Sequence, residues 1–268
     1  MSTFAHDHNR RAWDDRARKG EVFARPANEE DIESWAKKLM SSKWLDGGVK
    51  NKRVLCLAAG GGRQAIQYAE AGAIVTVVDI SAAQLALDKQ VAADRKLDIT
   101  VVQASMDDLT GLRDGSFEIV VQPVSTCYVP DISKVYAEVA RVLMPGGIYS
   151  SQHKQPVSLQ ADIKLAAGGR GYEVQEMYYR QTPLPEVHGS IHREVGTIEY
   201  LHRWEQLIGG LCRAGFVIED MIEPNHADDK AEPGTFGHRS RYIPPYVLIK
   251  ARRVKDEKKR GISRLWTP

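Results

Sequence analysis

What most constrains this chain is a repeated unit: a short apolar run that ends in a turn and passes straight into a helix. Residues 54–59 are continuously apolar and run into Gly60-Gly61-Gly62. A short helix is expected over 65–71, then a second apolar run over 74–79 that closes on Asp79. Ser81 supplies an N-cap side chain for a helix reaching about Arg95. Two further β-branched runs cover 99–103 and 117–122. A helix is predicted over 131–143, stopped by Pro145-Gly146-Gly147, with a fifth strand at 148–151. Strands that are apolar on both faces and alternate with helices require a parallel sheet covered on both sides.

The flanking regions follow other rules. Residues 1–50 are polar and helical, and 29–40 places Ile32, Trp35, Ala36 and Leu39 on one helical face. After Gln152 the strand–helix rhythm breaks, and 172–181 with 191–201 read as an antiparallel pair. The rhythm resumes with a helix at 204–214 closed by Gly215, a strand at 216–222 and a last strand at about 246–251. The expected organisation is one domain over 1–251. Within it, 1–50 forms a helical cap and 153–202 an inserted antiparallel lid, and a basic tail follows over 252–268.

Bulk composition excludes several classes. Lys+Arg number 37 against Asp+Glu 35, a net charge of +2, so no general polyanion-binding surface is implied. No apolar run approaches the ~20 residues of a membrane span. The first residues carry charges with no apolar core behind them, so no secretory signal is expected. Cys56, Cys127 and Cys212 are odd in number and widely spaced, which fits neither a disulfide framework nor a cysteine-rich zinc site. A reducing cytoplasm is the expected setting.

A strand that runs into glycines and then a helix lets backbone approach a ligand closely, because no Cβ intervenes. The helix N-terminus behind it favours an anionic or carboxylate group. Asp79 ends the neighbouring strand and is expected beside this turn, where a carboxylate can accept both ribose hydroxyls of an adenosine. Two ligand classes fit. Gly60-x-Gly62-x-x-Ala65 satisfies the dinucleotide fingerprint, which admits a nicotinamide oxidoreductase. An S-adenosylmethionine site is the other.

The segments VLCLAAGGGRQA, VTVVDIS, QASMDDL, FEIVVQPVSTCYVPD and VYAEVARVLMPGGIYS occur in that order over about 52–152. Together they resemble the class I S-adenosylmethionine-dependent methyltransferases, in particular the small-molecule group that includes the ubiquinone/menaquinone enzymes. The helix–Pro-Gly-Gly–strand block is a signature of that group, and 200–222 is similar more loosely. The resemblance implies an α/β fold with a Rossmann-like, seven-stranded, mostly parallel sheet and helices on both faces. It also implies S-adenosylmethionine as cofactor, with Ala58, Gly60 and Gly62 at the methionine end, Asp79 on the ribose and Ile80 on the adenine. Ser105, Met106 and Asp107 match the segment at the adenine edge, and Gln122 begins the loop under the methionine moiety. Two positions depart from the family: Cys56 stands where an acid is usual, and Ala58 where glycine is.

The expected activity is transfer of the sulfonium methyl to a small acceptor by in-line displacement. His153, at the end of the fifth strand, is the first candidate for a base, with Tyr128 next. Acceptor contacts are expected from 153–202 and 223–241, with Tyr178, His202 and Arg239 as the residues of choice. Alternatives are an RNA methyltransferase using the basic tail, a non-catalytic S-adenosylmethionine-binding protein and an NAD-dependent oxidoreductase. Tyr246-x-x-x-Lys250 mimics a dehydrogenase pair, but in a strand the two lie ~13 Å apart at ~3.3 Å per residue. Pro244-Pro245-Tyr246 sits at the wrong strand for an amino-methylating loop. His188 and His192 lack a third ligand, so no metal is expected, and His6-x-His8 reads as solvated.

Overall fold

A computed structural model describes residues 4–188 and 192–254. Its centre is a seven-stranded sheet of order β3-β2-β1-β4-β5-β7-β6. The strands are β1 Arg53–Leu57, β2 Ile74–Asp79, β3 Ile99–Gln103, β4 Phe117–Gln122, β5 Leu143–Lys154, β6 Phe216–Ile222 and β7 Tyr246–Arg253. β1 to β5 pair in parallel, and β7 runs antiparallel to both β5 and β6. The main helices are α1 Phe4–Arg18, α2 Glu29–Met40, α3 Gln64–Glu70, α4 Ala82–Asp94 and α5 Ile132–Val142. Shorter ones are α6 Pro156–Gln160, α7 Gly210–Arg213 behind a π-helical turn at Glu205–Gly209, and α8 Phe236–Ser240. This is the mostly parallel α/β sheet that the alternating runs demand, in the Rossmann-like form that the resemblance implies.

Burial on both faces explains the unbroken apolar strands. Val54, Leu55, Cys56 and Leu57 are all fully buried, and they feed two core layers in turn. Leu55 and Leu57 meet Val135, Tyr136 and Val139 of α5. Val54 and Cys56 meet Ala36, Leu39, Ala65 and Tyr68 of α2 and α3. In α2, Ile32, Ala36 and Leu39 are buried as the periodicity predicts, whereas Trp35 stays half exposed. Ser81 caps α4, its hydroxyl accepting from the Gln84 amide at 3.1 Å.

β5 is longer than the sequence suggests. It starts at Leu143, directly after α5, and carries Pro145-Gly146-Gly147 inside the strand. The ladder to β4 shifts register there. Gly147 makes this possible: a Cβ on it would lie 2.9 Å from the Met144 carbonyl and 3.0 Å from that of Glu118.

The expected antiparallel lid does not form. Apart from one isolated bridge between Ala161 and Val174, the segment after α6 is irregular up to Arg203 among the described residues. Pro183 and Pro185 flank Leu184 and remove ladder donors, so Leu184 makes a lone backbone bond, to the Glu199 carbonyl at 2.8 Å. Side chains hold the segment instead. Leu159, Leu184 and Leu201 form a small core with Tyr178 against it. Arg239, 1 % exposed, donates to the carbonyls of Ser158, Ala161 and Asp162 at 2.9–3.0 Å and to Ser158 Oγ at 3.0 Å. Arg239 is therefore a structural clamp.

The basic tail also begins later than expected. Arg252 and Arg253 belong to β7, where Arg252 pairs with Asp46 at 2.7 Å and with Glu219. Residues 255–268 lie outside the described residues.

The glycine turn between β1 and α3 is gripped by two carboxylates. Gly60 N–H donates to Asp79 Oδ2 at 2.9 Å, and the Ser81 amide donates to Asp79 Oδ1 at 2.9 Å. Gly61 and Gly62 N–H donate to the two oxygens of Asp88 on α4, at 2.9 and 3.0 Å. Burial pushes the Asp88 carboxyl up to about 7, against the pull of those two amides.

Two measurements test these clamps. Arg239→Ala should strand buried carbonyls and cost about 3 kcal/mol, which lowers Tm by roughly 6–12 °C; an unchanged melt refutes the clamp. Because folding raises the Asp88 pKa, the native state binds the extra proton between about pH 4 and 7, and stability falls as pH rises through that window. From pH 5 to 8 the wild type should lose about 2 kcal/mol more than Asp88→Asn, measured by denaturant unfolding. Parallel losses in the two proteins would contradict this.

Candidate active site

A cavity of about 640 Å³ opens at the carboxyl ends of β1, β2, β3 and β4. This is the switch point of the sheet, where β1 lies between β2 and β4 and the connections diverge to either side. Its floor comes from the glycine turn and the strand ends, its roof from α1, and its far wall from the irregular segments after β5 and β6.

At the floor, Ala58, Gly60, Asp79 and Ile80 line the cavity. Ala58 holds a φ of +49°, a left-handed conformation that costs an L-residue about 1–2 kcal/mol. A Cβ on Gly60 would stand 2.7 Å from Gln84 Cβ and 3.0 Å from Asp79 Oδ2, so only glycine fits. Gly62 is off the wall, and its amide is taken by Asp88 rather than presented to a ligand. Burial raises the Asp79 carboxyl, while the Ser81 and Gly60 amides hold it down. Asp79 lines the cavity, and each of its oxygens can accept a further hydrogen bond. Gln84 also lines the cavity, and its buried Oε1 has no hydrogen-bond partner among the described residues. A donor on a bound molecule would satisfy it, which fits a hydroxyl- or amine-bearing ligand such as S-adenosylmethionine.

Ser105 and Met106 line the middle of the cavity as expected, but Asp107 does not. Its carboxylate turns to Ser105 Oγ and to His6 Nε2 at 3.1 Å. His6 is accordingly buried and on the wall, not solvated. Gln122 lies beneath the wall. It donates to Met106 Sδ at 3.2 Å and Ser125 Oγ at 2.9 Å, and accepts from the Tyr149 hydroxyl. Pro123, Val124 and Ser125, which follow it, do reach the cavity.

The roof is docked by polar contacts. Asp14 of α1 accepts from Ser81 Oγ at 2.6 Å and from the Ala83 amide at 3.1 Å. Asn9 donates to the carbonyls of Tyr128 and Ile198 and accepts from the Ile198 amide at 2.7 Å. Between these anchors, Trp13 stands edge-on to Tyr128, ring centroids 5.6 Å apart.

At the far wall Tyr128 is present, but as a proton donor. Its hydroxyl donates to Glu194 Oε2 at 2.8 Å, and Lys154 Nζ donates to the same oxygen at 2.6 Å. Lys154 also donates to Glu199, which pairs with Arg193. Burial opposes ionisation of Glu194, yet the Lys154 charge and hydrogen bond hold its carboxyl below the usual carboxylate range. Burial and the Glu194 charge push the Tyr128 phenol well above its ordinary range.

His153 does not reach the cavity. Gln152 lines it, and side chains alternate along a strand, so His153 points to the opposite face of β5. There it is fully buried between Thr126 Oγ1 and Ser151 Oγ, both at 2.8 Å, and burial holds its imidazole down at about 3. None of the three acceptor candidates lines the cavity either. His202 Nε2 sits 2.9 Å from the Thr126 carbonyl and 3.1 Å from that of Val129, bracing the Tyr128 turn. The Tyr178 hydroxyl accepts from the Trp204 amide at 3.2 Å, and Arg239 is the clamp described above. Glu194, His226, Phe236 and Tyr246 form the far wall in their place. The expected segments thus do reach the cavity, through different residues. Among the described residues, no group of three or more His, Cys, Asp or Glu is placed to hold a metal ion.

A family model described as a methyltransferase domain matches residues 55–150. The "Uncharacterized methyltransferase YbaJ" of Bacillus subtilis is 33% identical over 81% of this chain and 89% of its own length. The "Ubiquinone/menaquinone biosynthesis C-methyltransferase UbiE" of Methylobacterium nodulans is 30% identical over 60% of this chain and 70% of its own. Among solved structures, an S-adenosylmethionine-dependent methyltransferase from Mesorhizobium loti superposes with a TM-score of 0.65 at 25% identity. It covers 83% of this chain and all of that one. The geranyl diphosphate C-methyltransferase of Streptomyces coelicolor A3(2), in complex with Mg2+, geranyl diphosphate and S-adenosyl-L-homocysteine, shares the fold at 16% identity. Its TM-score is 0.62, over 94% of this chain and 99% of that one. With its switch-point cavity, glycine turn and strand-end aspartate, the chain belongs to the class I S-adenosylmethionine-dependent methyltransferases.

Proposed function

We propose that the two ends of the cavity divide the work of methyl transfer to a small molecule: the strand-end floor holds the cofactor and the far wall holds the acceptor. The observation that carries this reading is the continuity of one cavity from Asp79 to Tyr246. When bound, S-adenosylmethionine supplies an electrophilic methyl group on a sulfonium centre. Asp79 accepts the ribose hydroxyls, Ile80 packs on the adenine, and Ser105 and Met106 border its edge. The backbone at Ala58 and Gly60 borders the methionine end. Asp107, Gly62 and Gln122 act one layer back: they position Ser105, the glycine turn and Met106.

The far wall suits a small organic acceptor with an apolar body and a hydrogen-bond donor. Tyr128, Phe236 and Tyr246 supply rigid rings, with Trp13 above them in the roof, and Glu194 supplies an ionised carboxylate. Holding donor and acceptor in line can lower the barrier by about 7–11 kcal/mol, with little covalent chemistry asked of the protein. An RNA acceptor bound through the tail has less support, because Arg252 is engaged in ion pairs on β7. Three free thiols, two of them buried, support work in the reducing cytoplasm, and no described helix is long and apolar enough to cross a membrane.

Calorimetry with S-adenosylmethionine, S-adenosylhomocysteine and NAD on the purified protein tests the cofactor half; tight binding of NAD alone would refute it. Asp79→Ala should weaken S-adenosylmethionine binding at least about tenfold, roughly 1.4 kcal/mol, since the ribose loses a charged acceptor. Equal affinity in a folded variant removes Asp79 from the ribose site.

A further inference from the structure

The titratable groups on the cavity wall can be sorted by what already holds them. Tyr128 donates its proton to Glu194, and Glu194 is held ionised by Lys154, so neither is a useful proton acceptor. His6 is bonded to Asp107 at the adenine side, and Asp79 is taken up by two backbone amides. His153 and His202 are buried off the wall. Burial pushes the Tyr246 phenol up, so it keeps its proton, and Arg63 is a permanent cation. That leaves His226, between β6 and α8. It lines the cavity, is exposed at its mouth, and its ring nitrogens make no hydrogen bond among the described residues.

The imidazole is nonetheless held in place. It meets Phe236 edge-on at 5.6 Å between ring centroids and 74°, and Tyr246 at 5.4 Å and 78°. Both rings are themselves wall residues, on α8 and at the start of β7. A ring fixed by apolar edges with its nitrogens left open is arranged to take a proton from something in the cavity. Exposure at the mouth gives that proton a route to bulk water.

We propose that His226 is the general base of the transfer, a role that rests on the acceptor lying at the far wall. The acceptor's nucleophilic atom carries a proton. As its bond to the methyl carbon forms, the carbon–sulfur bond breaks and its electron pair stays on sulfur. The proton passes from the nucleophilic atom to a ring nitrogen of His226, and the imidazolium then releases it to solvent. Charge and atoms balance without any further reactant.

The test uses the full chain, methyl-labelled S-adenosylmethionine and the low-mass fraction of a bacterial cell extract as the acceptor source. Label entering small molecules is counted for the wild type, His226→Gln and His226→Gly, and cofactor affinity is measured by calorimetry alongside. The expected result is a fall of at least about 100-fold in both variants, with affinity within about twofold of the wild type. Free imidazole should restore the His226→Gly rate at least about tenfold, an effect that a merely structural histidine does not show. Transfer by His226→Gln within about threefold of the wild type, or a folded His226→Gly that imidazole leaves inactive, would overturn the assignment. A wild type that binds the cofactor but labels nothing would overturn the placement of the acceptor together with it.

Discussion

The floor of this cavity depends on two carboxylates gripping three consecutive glycine amides. A turn of three glycines has many conformations open to it and pays maximal entropy for adopting one. Asp79, at the end of β2, and Asp88, a helical turn and a half into α4, take the Gly60, Gly61 and Gly62 N–H groups from two sides. The strand ends β1 and β2 are thereby locked to α4. The floor is stiff before any ligand arrives, at the cost of burying two acids.

The same use of polar groups as fasteners recurs wherever regular structure is missing. α1 has little apolar face, yet Asn9 and Asp14 seat it through five hydrogen bonds. The segment after β5 has no ladder, so Arg239 answers three of its carbonyls and Lys154 bridges Glu194 to Glu199. Irregular backbone inside a protein needs donors from somewhere. Here long cationic side chains provide them.

This explains which parts of the structure could be read in advance. Strands covered on both faces leave apolar runs such as Val75, Val77 and Val78, and the Ser81 cap and Asp79 follow from local geometry alone. His153 misled because the facing of a strand end depends on a register that one residue reverses, so Gln152 holds the wall position. Arg239 and His202 misled for a different reason. A polar residue in a segment of unknown conformation looks like a ligand contact, and here each became a partner of backbone carbonyls instead. Asp88 carried a faint signal, since it shares the buried face of α4 with Leu85 and Ala92 at helical spacing. An acid in an apolar stripe needs a partner, and the nearest orphan donors are the glycine amides.

The walls of the cavity come from both extremes of the described chain. Its floor is complete once residues 54–125 have folded, but the roof is residues 6–13 and the far wall closes only at Tyr246. During synthesis the first helix must therefore wait for its partners: Asp14 meets Ser81 67 residues further on, and Asn9 meets Ile198 only 189 residues further on. The cavity is enclosed only once Tyr246 is in place, so a product that stops short of β7 has the floor without its far wall.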